Sequence, residues 1–292
     1  MIKTSRQLKD LVRNKSGGDS NKAQIIIRNY IMERFLERVS LSPYKEKFIL
    51  KGGMIISSMV GINNRSTMDI DTTIRNINLS ADDISRVLAE IISIEIDDAI
   101  AFRVKSISDI MDEAEYPGIR AMLEATLENM RTPLKIDFST GDVITPKEIE
   151  YEYKLMFENR SISILAYNTE TILAEKLETV ISRSTANTRL RDFYDLRILY
   201  DTVEIDYGKL KDAFSATSER RGSTSVVKNK YDVLVQLESD EGMKTLWTNY
   251  QRKFDYAKEY SWYDIMAVLL RETLLKFITM GFTVKRFHKL DK

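Results

Sequence analysis

Two aspartates separated by one residue are the first candidates for chemistry in this sequence. Asp69 and Asp71 fall in residues 68–74, whose β-branched composition predicts a strand. Residues two apart on a strand point to the same side, so both carboxylates project together while Ile70 enters the core. Carboxylate oxygens are the ligands that Mg²⁺ prefers, so the pair indicates a metal site. A solvated strand end is the alternative that the pair alone leaves open.

A third carboxylate stands on a later predicted strand, residues 134–138. Lys135 and Asp137 share one face of that strand, with Ile136 on the other. A carboxylate beside the first two would complete an acidic metal cluster, with the lysine next to it. A salt bridge on an edge strand is the alternative reading of the same two residues.

A glycine pair precedes these strands. Gly52 and Gly53 separate a predicted strand, residues 47–53, from a short predicted helix, residues 54–60. Glycines let backbone N–H groups approach phosphate closely, and a helix N-terminus favours an anion. A tight strand-to-helix turn explains the pair equally well. The sequence contains no G-x-G, which excludes the dinucleotide and P-loop fingerprints, so a nucleotide would need this other phosphate cradle.

The composition restricts the chemistry further. The 292 residues contain 44 basic and 44 acidic side chains, no cysteine and a single histidine, His288 in the terminal segment. Disulfides, thiolate zinc sites and cysteine nucleophiles are excluded, and chemistry must rely on carboxylates, lysines and hydroxyls. No apolar run reaches the ~18 residues of a membrane span, and no signal-peptide pattern opens the chain. We therefore expect a cytoplasmic protein without a membrane partner.

The elements that must position these residues fall into two parts. All four prolines lie in the first half, which alternates between strand and helix patterns, so we predict an α/β domain over residues 1–165. We predict a helical domain over residues 166–292. Further strands are predicted at 102–107 and 119–127, and helices at 21–40, 80–92, 169–183, 191–201, 206–221, 224–237, 243–258 and 262–280.

The order of these motifs resembles the nucleotidyltransferase superfamily related to polymerase β. Within it, the segments KFILKGGMIISSMVG, RSTMDIDTTI, LKIDFSTGDVITP, ETILAEKLETVISR and RLRDFYDLRILY resemble the AbiEii/AbiGii family over residues 47–200. That family comprises nucleotidyltransferase-like toxins of abortive-infection, type IV toxin–antitoxin systems. One departure is Met54, because the superfamily commonly has Ser or Thr directly after the glycine turn.

The resemblance implies a role for each matching residue. Metal ligands, nucleotide-binding residues and catalytic residues are implied, with Lys176 on the triphosphate and Asp192 as the aspartate of the last motif. The implied metal ligands are Asp69, Asp71 and Asp137; the implied nucleotide contacts are Gly52, Gly53, Arg65, Ser66, Lys135 and Lys176; the implied catalytic set is Asp69, Asp71, Asp137, Lys176 and Asp192. Without the resemblance, Lys176 and Glu178 read as an exposed helix face and Arg191 and Asp195 as an i,i+4 pair.

These implications combine into an expected fold and activity. The fold is α+β, a polymerase-β-like mixed sheet with flanking helices followed by a C-terminal helical bundle, with nucleotide bound in the cleft between them. The activity is transfer of a nucleotidyl group from an NTP, with Mg²⁺ or Mn²⁺, to an acceptor hydroxyl, with growth arrest relieved by a separately encoded antitoxin. By analogy the acceptor is a tRNA 3′ end. The alternatives are a GTP-binding toxin, a protein-modifying nucleotidyl or phosphoryl transferase, and a non-catalytic sequestering protein.

A local excess of positive charge bears on the acceptor. Residues 209–230 contain six basic side chains against Asp212 and Glu219, enough to bind an RNA backbone. A solvated helix face is the alternative. The six are Lys209, Lys211, Arg220, Arg221, Lys228 and Lys230.

Overall fold

The computed structural model describes residues 1–110 and 118–278. The chain divides after Asn168 into two compact units. No helix in those two ranges combines the length and apolar composition needed to cross a bilayer.

The first unit is built on a mixed sheet. Its seven strands lie in the order β3-β4-β5-β2-β1-β7-β6. The β2–β5 and β1–β7 pairs are parallel, and the other neighbours are antiparallel. The strands are β1 (Phe48–Lys51), β2 (Asp69–Ile74), β3 (Ala101–Ile110), β4 (Gly118–Leu127), β5 (Met130–Ser139), β6 (Ile149–Lys154) and β7 (Ser161–Ala166).

Four helices accompany this sheet: α1 (Ser5–Ser16), α2 (Ser20–Leu41), α3 (Gly52–Val60) and α4 (Ala81–Ile92). The long helix α2 packs on the apolar side of the sheet, where Phe35 contacts the rings of Phe48 and Phe102. That side also carries Ile70 and Ile136, both fully buried. Because side chains alternate along each strand, the opposite side carries the polar residues of β2 and β5.

The described part of the second unit is helical. It contains α5 (Thr169–Arg183), α6 (Leu190–Thr202), α7 (Tyr207–Arg220), α8 (Thr224–Val227), α9 (Lys230–Ser239), α10 (Glu241–Lys253) and α11 (Trp262–Ile278). Trp247 and Trp262 are buried, and their rings lie 6.0 Å apart. The predicted helix 224–237 is divided in two, with Asn229, a weak helix former, at the start of α9. The predicted helix 243–258 ends at Lys253 and is followed by a 3₁₀ turn.

Several predictions for the first unit are confirmed, and three elements were missed. The strands β2, β4 and β5 lie within one to four residues of their predicted positions. Strands β6 and β7 escaped prediction although β7 alternates, with Ile162, Ile164 and Ala166 buried. Helix α1 was also missed, although Thr4 and Gln7 form a capping box at its start. The predicted end of the last helix at residues 279–280 and His288 lie outside the described residues.

Candidate active site

Three of the predicted aspartates lie on one face of the central strands. In the parallel β2–β5 pair, Asp69 is opposite Lys135 and Asp71 is opposite Asp137. The residues between them, Ile70 and Ile136, point into the core. The register therefore brings Asp69, Asp71 and Asp137 together, as the spacing of each motif requires. The alternative of an edge-strand salt bridge is wrong, because β5 is an interior strand.

Two cations hold the outer carboxylates of this group. The Lys135 Nζ lies 2.6 Å from Asp69 Oδ2 and 3.6 Å from Asp137 Oδ2. From the neighbouring strand, Arg120 donates from Nε and Nη2 to the two oxygens of Asp137, each at 2.8 Å. Burial opposes the charged form of Lys135, but the hydrogen bond to Asp69 and the charges of both aspartates outweigh it and raise the lysine pKa. Lys135 is therefore a cation at neutral pH.

Asp71 is next to both of the other aspartates, because it follows Asp69 by two residues on β2 and is opposite Asp137 on β5. Burial, together with the charges of Asp69 and Asp137, raises the pKa of Asp71 to about 6, while Lys51 and Lys135 act in the opposite direction. The two neighbouring strands extend the row, because Lys51 is opposite Asp71 and Arg120 is opposite Asp137. Across four adjacent strands, Lys51, Asp71, Asp137 and Arg120 therefore form one row, here called the carboxylate row. Its two carboxylates are adjacent at the centre, and a cation stands at each end.

The glycine turn lies directly against Asp71. Gly52 has φ +69°, and a Cβ at this position would lie 2.3 Å from Asp71 Oδ2. At Gly53, a Cβ would lie 2.8 Å from Thr67 Oγ1 and 3.0 Å from Arg65 Nη2. Both glycines are therefore required by close packing, and α3 begins beside the carboxylates. The N–H groups of its first turn have no partner within the helix, as at any helix start.

Residues 65–67, which precede the two aspartates of β2, pack beside the glycine turn. Arg65 and Ser66 are 2% and 8% exposed, so both are buried next to the site. Arg65 donates to the Ser66 carbonyl, and the Thr67 hydroxyl donates to Asp69 Oδ1 at 3.2 Å. Thr67 was not among the predicted residues; its position two before Asp69 on an extended segment was the available signal.

A second polar cluster adjoins the row and was also missed. The Lys51 Nζ lies 2.7 Å from both Ser139 Oγ and Asp142 Oδ2, and Thr73 donates to the same Asp142 oxygen. Burial opposes ionisation of Asp142, yet the charge and hydrogen bond of Lys51, with those of Thr73 and Ser139, lower its pKa to about 2. Asp142 therefore holds Lys51 beside the glycine turn through an ion pair. The sequence signal was the lysine immediately before the glycine pair.

The remaining predicted residues meet in the second unit. The Lys176 Nζ lies 2.6 Å from Asp192 Oδ1 and 2.8 Å from Asp195 Oδ2. Asp195 is fully buried and Lys176 is largely so, which makes the exposed-face reading of Lys176 wrong. The same holds for Glu178, which is 1% exposed and paired with Arg221. Arg191 lies over the ring of Phe254.

The three carboxylates are the candidate donors for a divalent cation. Within residues 1–110 and 118–278, no three His, Cys, Asp or Glu side chains stand in an arrangement that could hold a metal ion. Lys135 and Arg120 engage Asp69 and Asp137. The chemistry of the donors nevertheless fits Mg²⁺, because three carboxylates share one face of the sheet.

Comparison with known proteins found a family model and solved structures that are similar to this chain. A family model described as nucleotidyl transferase AbiEii toxin, type IV TA system, matches residues 34–269. Among solved structures, JHP933 from Helicobacter pylori is 20% identical, with 87% of this chain and 94% of that chain covered and a TM-score of 0.47. A proposed nucleotidyltransferase from H. pylori is 18% identical, with coverage of 87% and 98% and a TM-score of 0.47. No curated protein matches the chain.

Proposed function

This chain belongs to the AbiEii family of nucleotidyl transferase toxins of type IV toxin–antitoxin systems, and from this premise we propose its reaction. It transfers a nucleotidyl group from an NTP to an acceptor hydroxyl and releases pyrophosphate. The acceptor is a tRNA 3′ end, and its modification in the cytoplasm causes the growth arrest that a separately encoded antitoxin relieves. The proposed fold is polymerase-β-like, with the helices of the second unit as a bundle.

The row of carboxylates beside the glycine turn is the observation that carries this proposal. Asp71 and Asp137 are adjacent in register, and Asp71 lies against Gly52 at the start of α3. A stable sheet gains nothing from two neighbouring like charges, whereas phosphoryl chemistry requires negative ligands next to a phosphate cradle.

Asp69, Asp71 and Asp137 would hold Mg²⁺ or Mn²⁺. When bound, such a metal polarises the phosphoryl group and lowers the pKa of the attacking hydroxyl.

The chain's own residues supply the remaining tasks in this proposal. The N–H groups at Gly52 and Gly53 bind the triphosphate, with Arg65 and Ser66 supporting the turn from the buried side. Asp137 accepts the proton of the attacking hydroxyl.

Two cations serve the nucleotide in the same scheme. Lys135 neutralises charge on the nucleotide's phosphates after exchanging its contact with Asp69. Lys176, paired with Asp192 and Asp195, is the proposed triphosphate lysine of the second unit.

A labelling experiment tests the proposal. Purified protein is incubated with each α-³²P-labelled NTP, Mg²⁺ or Mn²⁺ and total tRNA, and RNA and protein are separated afterwards. Label in tRNA with the wild type and none with Asp69→Asn is the expected result. Asp82→Asn is the matched control, because Asp82 is an exposed carboxylate on α4. Melting temperatures show whether both variants are folded.

Other outcomes of this experiment would select the alternatives. Label on protein would move the acceptor to a protein hydroxyl. If the folded wild type transfers no label and the Asp69→Asn variant is still toxic, the protein is a nucleotide-binding or sequestering toxin. Equal labelling by the wild type and Asp69→Asn would refute the role of the carboxylate row.

A further inference from the structure

The first 28 residues concentrate positive charge in a protein whose total charge is zero. They contain seven basic residues and two acidic ones, Asp10 and Asp19, a local net charge of +5. The basic residues are Lys3, Arg6, Lys9, Arg13, Lys15, Lys22 and Arg28. This excess is larger than that of residues 209–230, and four of the seven basic residues lie on α1, a helix that the sequence patterns did not reveal.

Helix α1 sorts these charges onto one side. Arg6, Lys9 and Arg13 are spaced three and four residues apart and are exposed, so they form one stripe, here called the α1 basic face. Leu8 and Val12, on the other side, are 0% and 2% exposed. The only acidic side chain on the helix is Asp10, which lies within the stripe, four residues after Arg6 and three before Arg13.

The cations of this face form no close ion pair within the two described ranges. The only carboxylate outside α1 that interacts electrostatically with one of them is Glu128, with Lys9, among the described residues. The run at 209–230 differs, because Lys209 is paired with Asp206 and Arg221 with buried Glu178. Positive side chains grouped without close ion-pair partners attract a polyanion, and each phosphate they neutralise releases a counter-ion.

The helix is fixed firmly enough to present the face as a rigid surface. Its apolar side joins a cluster with Ile26, Tyr30 and Leu127. The backbone N–H and hydroxyl of Ser5 donate to Glu128 at 3.0 and 2.7 Å. Because Leu8 and Val12 are already buried in the protein, α1 has no apolar side left for insertion into a lipid surface. The attraction that the exposed α1 basic face can exert on a partner is therefore electrostatic, and this favours a nucleic acid as the partner.

Helix α1 lies on the apolar side of the sheet, because Leu8 and Val12 pack there with Ala125 and Leu127, whereas Asp137 projects from the opposite side. Glu128 belongs to the turn between β4 and β5, and β5 runs from Met130 at that turn to Asp137. Seven residues of strand span about 23 Å. An acceptor that contacts both the α1 basic face and Asp137 must therefore extend at least this far and pass around the turn between β4 and β5, which a structured RNA can do and a small hydroxyl compound cannot.

We propose that the α1 basic face binds the phosphate backbone of the acceptor RNA and so selects a structured RNA over a free hydroxyl. The inference rests on the proposed function for the identity of the acceptor. The contact is through phosphates, so it contributes affinity and orientation without reading sequence.

The test compares two triple variants of the full chain. In one, Arg6, Lys9 and Arg13 are replaced by Gln; in the other, the matched control, exposed Arg252, Lys253 and Lys258 are replaced by Gln. Both remove three positive charges, and glutamine keeps a good helix propensity. Binding of fluorescent tRNA is measured without NTP between 50 and 200 mM salt, together with binding to vesicles of phosphatidylserine and phosphatidylcholine.

The expected result is specific to α1. The α1 variant should bind tRNA about tenfold more weakly, with a slope of log K against log salt less steep by about 2–3, whereas the control binds as the wild type. Equal losses in both variants, no loss in the α1 variant, or no tRNA binding by the wild type would overturn the inference. Vesicle binding that exceeds tRNA binding and depends on α1 would replace RNA by an anionic membrane.

The same proteins separate this inference from the proposed function. If the wild type binds tRNA through α1 but transfers no label from any NTP, the proposed reaction fails and the surface stands. If the wild type labels tRNA and the α1 variant binds and labels it equally well, the surface fails and the reaction stands.

Discussion

Replacing Gly52 by alanine tests the link between the glycine turn and the carboxylates. Gly52 has φ +69°, and the added methyl group would lie 2.3 Å from Asp71 Oδ2. Gly17 is a matched control, because it has φ +62° and nothing within 4 Å of the position of a Cβ. Both substitutions strain the backbone alike, but only the first displaces a carboxylate.

The two contributions differ in size and in what they affect. A left-handed conformation costs a non-glycine residue about 1–2 kcal/mol, which lowers the melting temperature by about 2–4 °C per kcal/mol in a protein of this size. In Gly52→Ala, Asp71 must also retreat by about 1 Å to reach ordinary van der Waals contact. A displacement of about 1 Å in a reacting group lowers the rate by about 100-fold.

The assay combines thermal denaturation with the rate of label transfer to tRNA. Gly17→Ala should melt a few degrees below the wild type and transfer label at the wild-type rate. Gly52→Ala should melt at least as low and transfer label about 100-fold more slowly. If Gly52→Ala melts at the same temperature as Gly17→Ala and keeps full activity, the reasoning is refuted, because the position of Asp71 would then not affect the rate of label transfer.

Three further predictions concern buried charge and the metal. Burial raises the pKa of Glu33 to about 7, so the contribution of Glu33 to stability is full below pH 4.5 and is lost as pH rises through 7. Thermal melts over this pH range should show a loss of about 3 kcal/mol in the wild type and none in Glu33→Gln, whereas parallel pH curves for the two proteins would contradict this. Asp98→Ala leaves buried Arg38 without its partner at 2.8 Å and should cost about 3–5 kcal/mol in urea unfolding. Lys45→Ala, which breaks the more exposed pair with Glu150, should cost less than about 1 kcal/mol; equal costs would be the contrary result. EDTA should abolish label transfer and excess Mn²⁺ restore it, whereas transfer that survives EDTA would exclude the metal.

The sequence predicted the centre of the sheet because each motif there carries its own geometry. Alternation placed Asp69 and Asp71 on one face and Asp137 on the matching face of a second strand, and the β2–β5 register confirms that they meet. The glycine pair is confirmed as the strand-to-helix turn. Lys176 and Asp192 form an ion pair in the structure, and only the family resemblance had singled out these two residues.

The residues that escaped prediction depend on strand order, which local patterns do not encode. Arg120 reaches Asp137 only because β4 lies beside β5, and Lys51 reaches Asp142 only because β1 lies near the end of β5. Helix α1 was missed for another reason. Its apolar side consists chiefly of Leu8 and Val12, too few positions for a clear helical period.

The arrangement of charges across the sheet explains why stability alone does not account for the site. Lys51, Asp71, Asp137 and Arg120 form one row over four adjacent strands. Exchanging Asp71 for a neutral residue would remove a like-charge repulsion, and Lys51 would keep its ion pair with Asp142. A sequence selected only for folding would therefore not keep both. Natural proteins accept such local costs at functional sites, and here the cost coincides with two glycines that admit Asp71 to the start of a helix. The conflict within the row is thus itself an argument that its carboxylates act on a ligand.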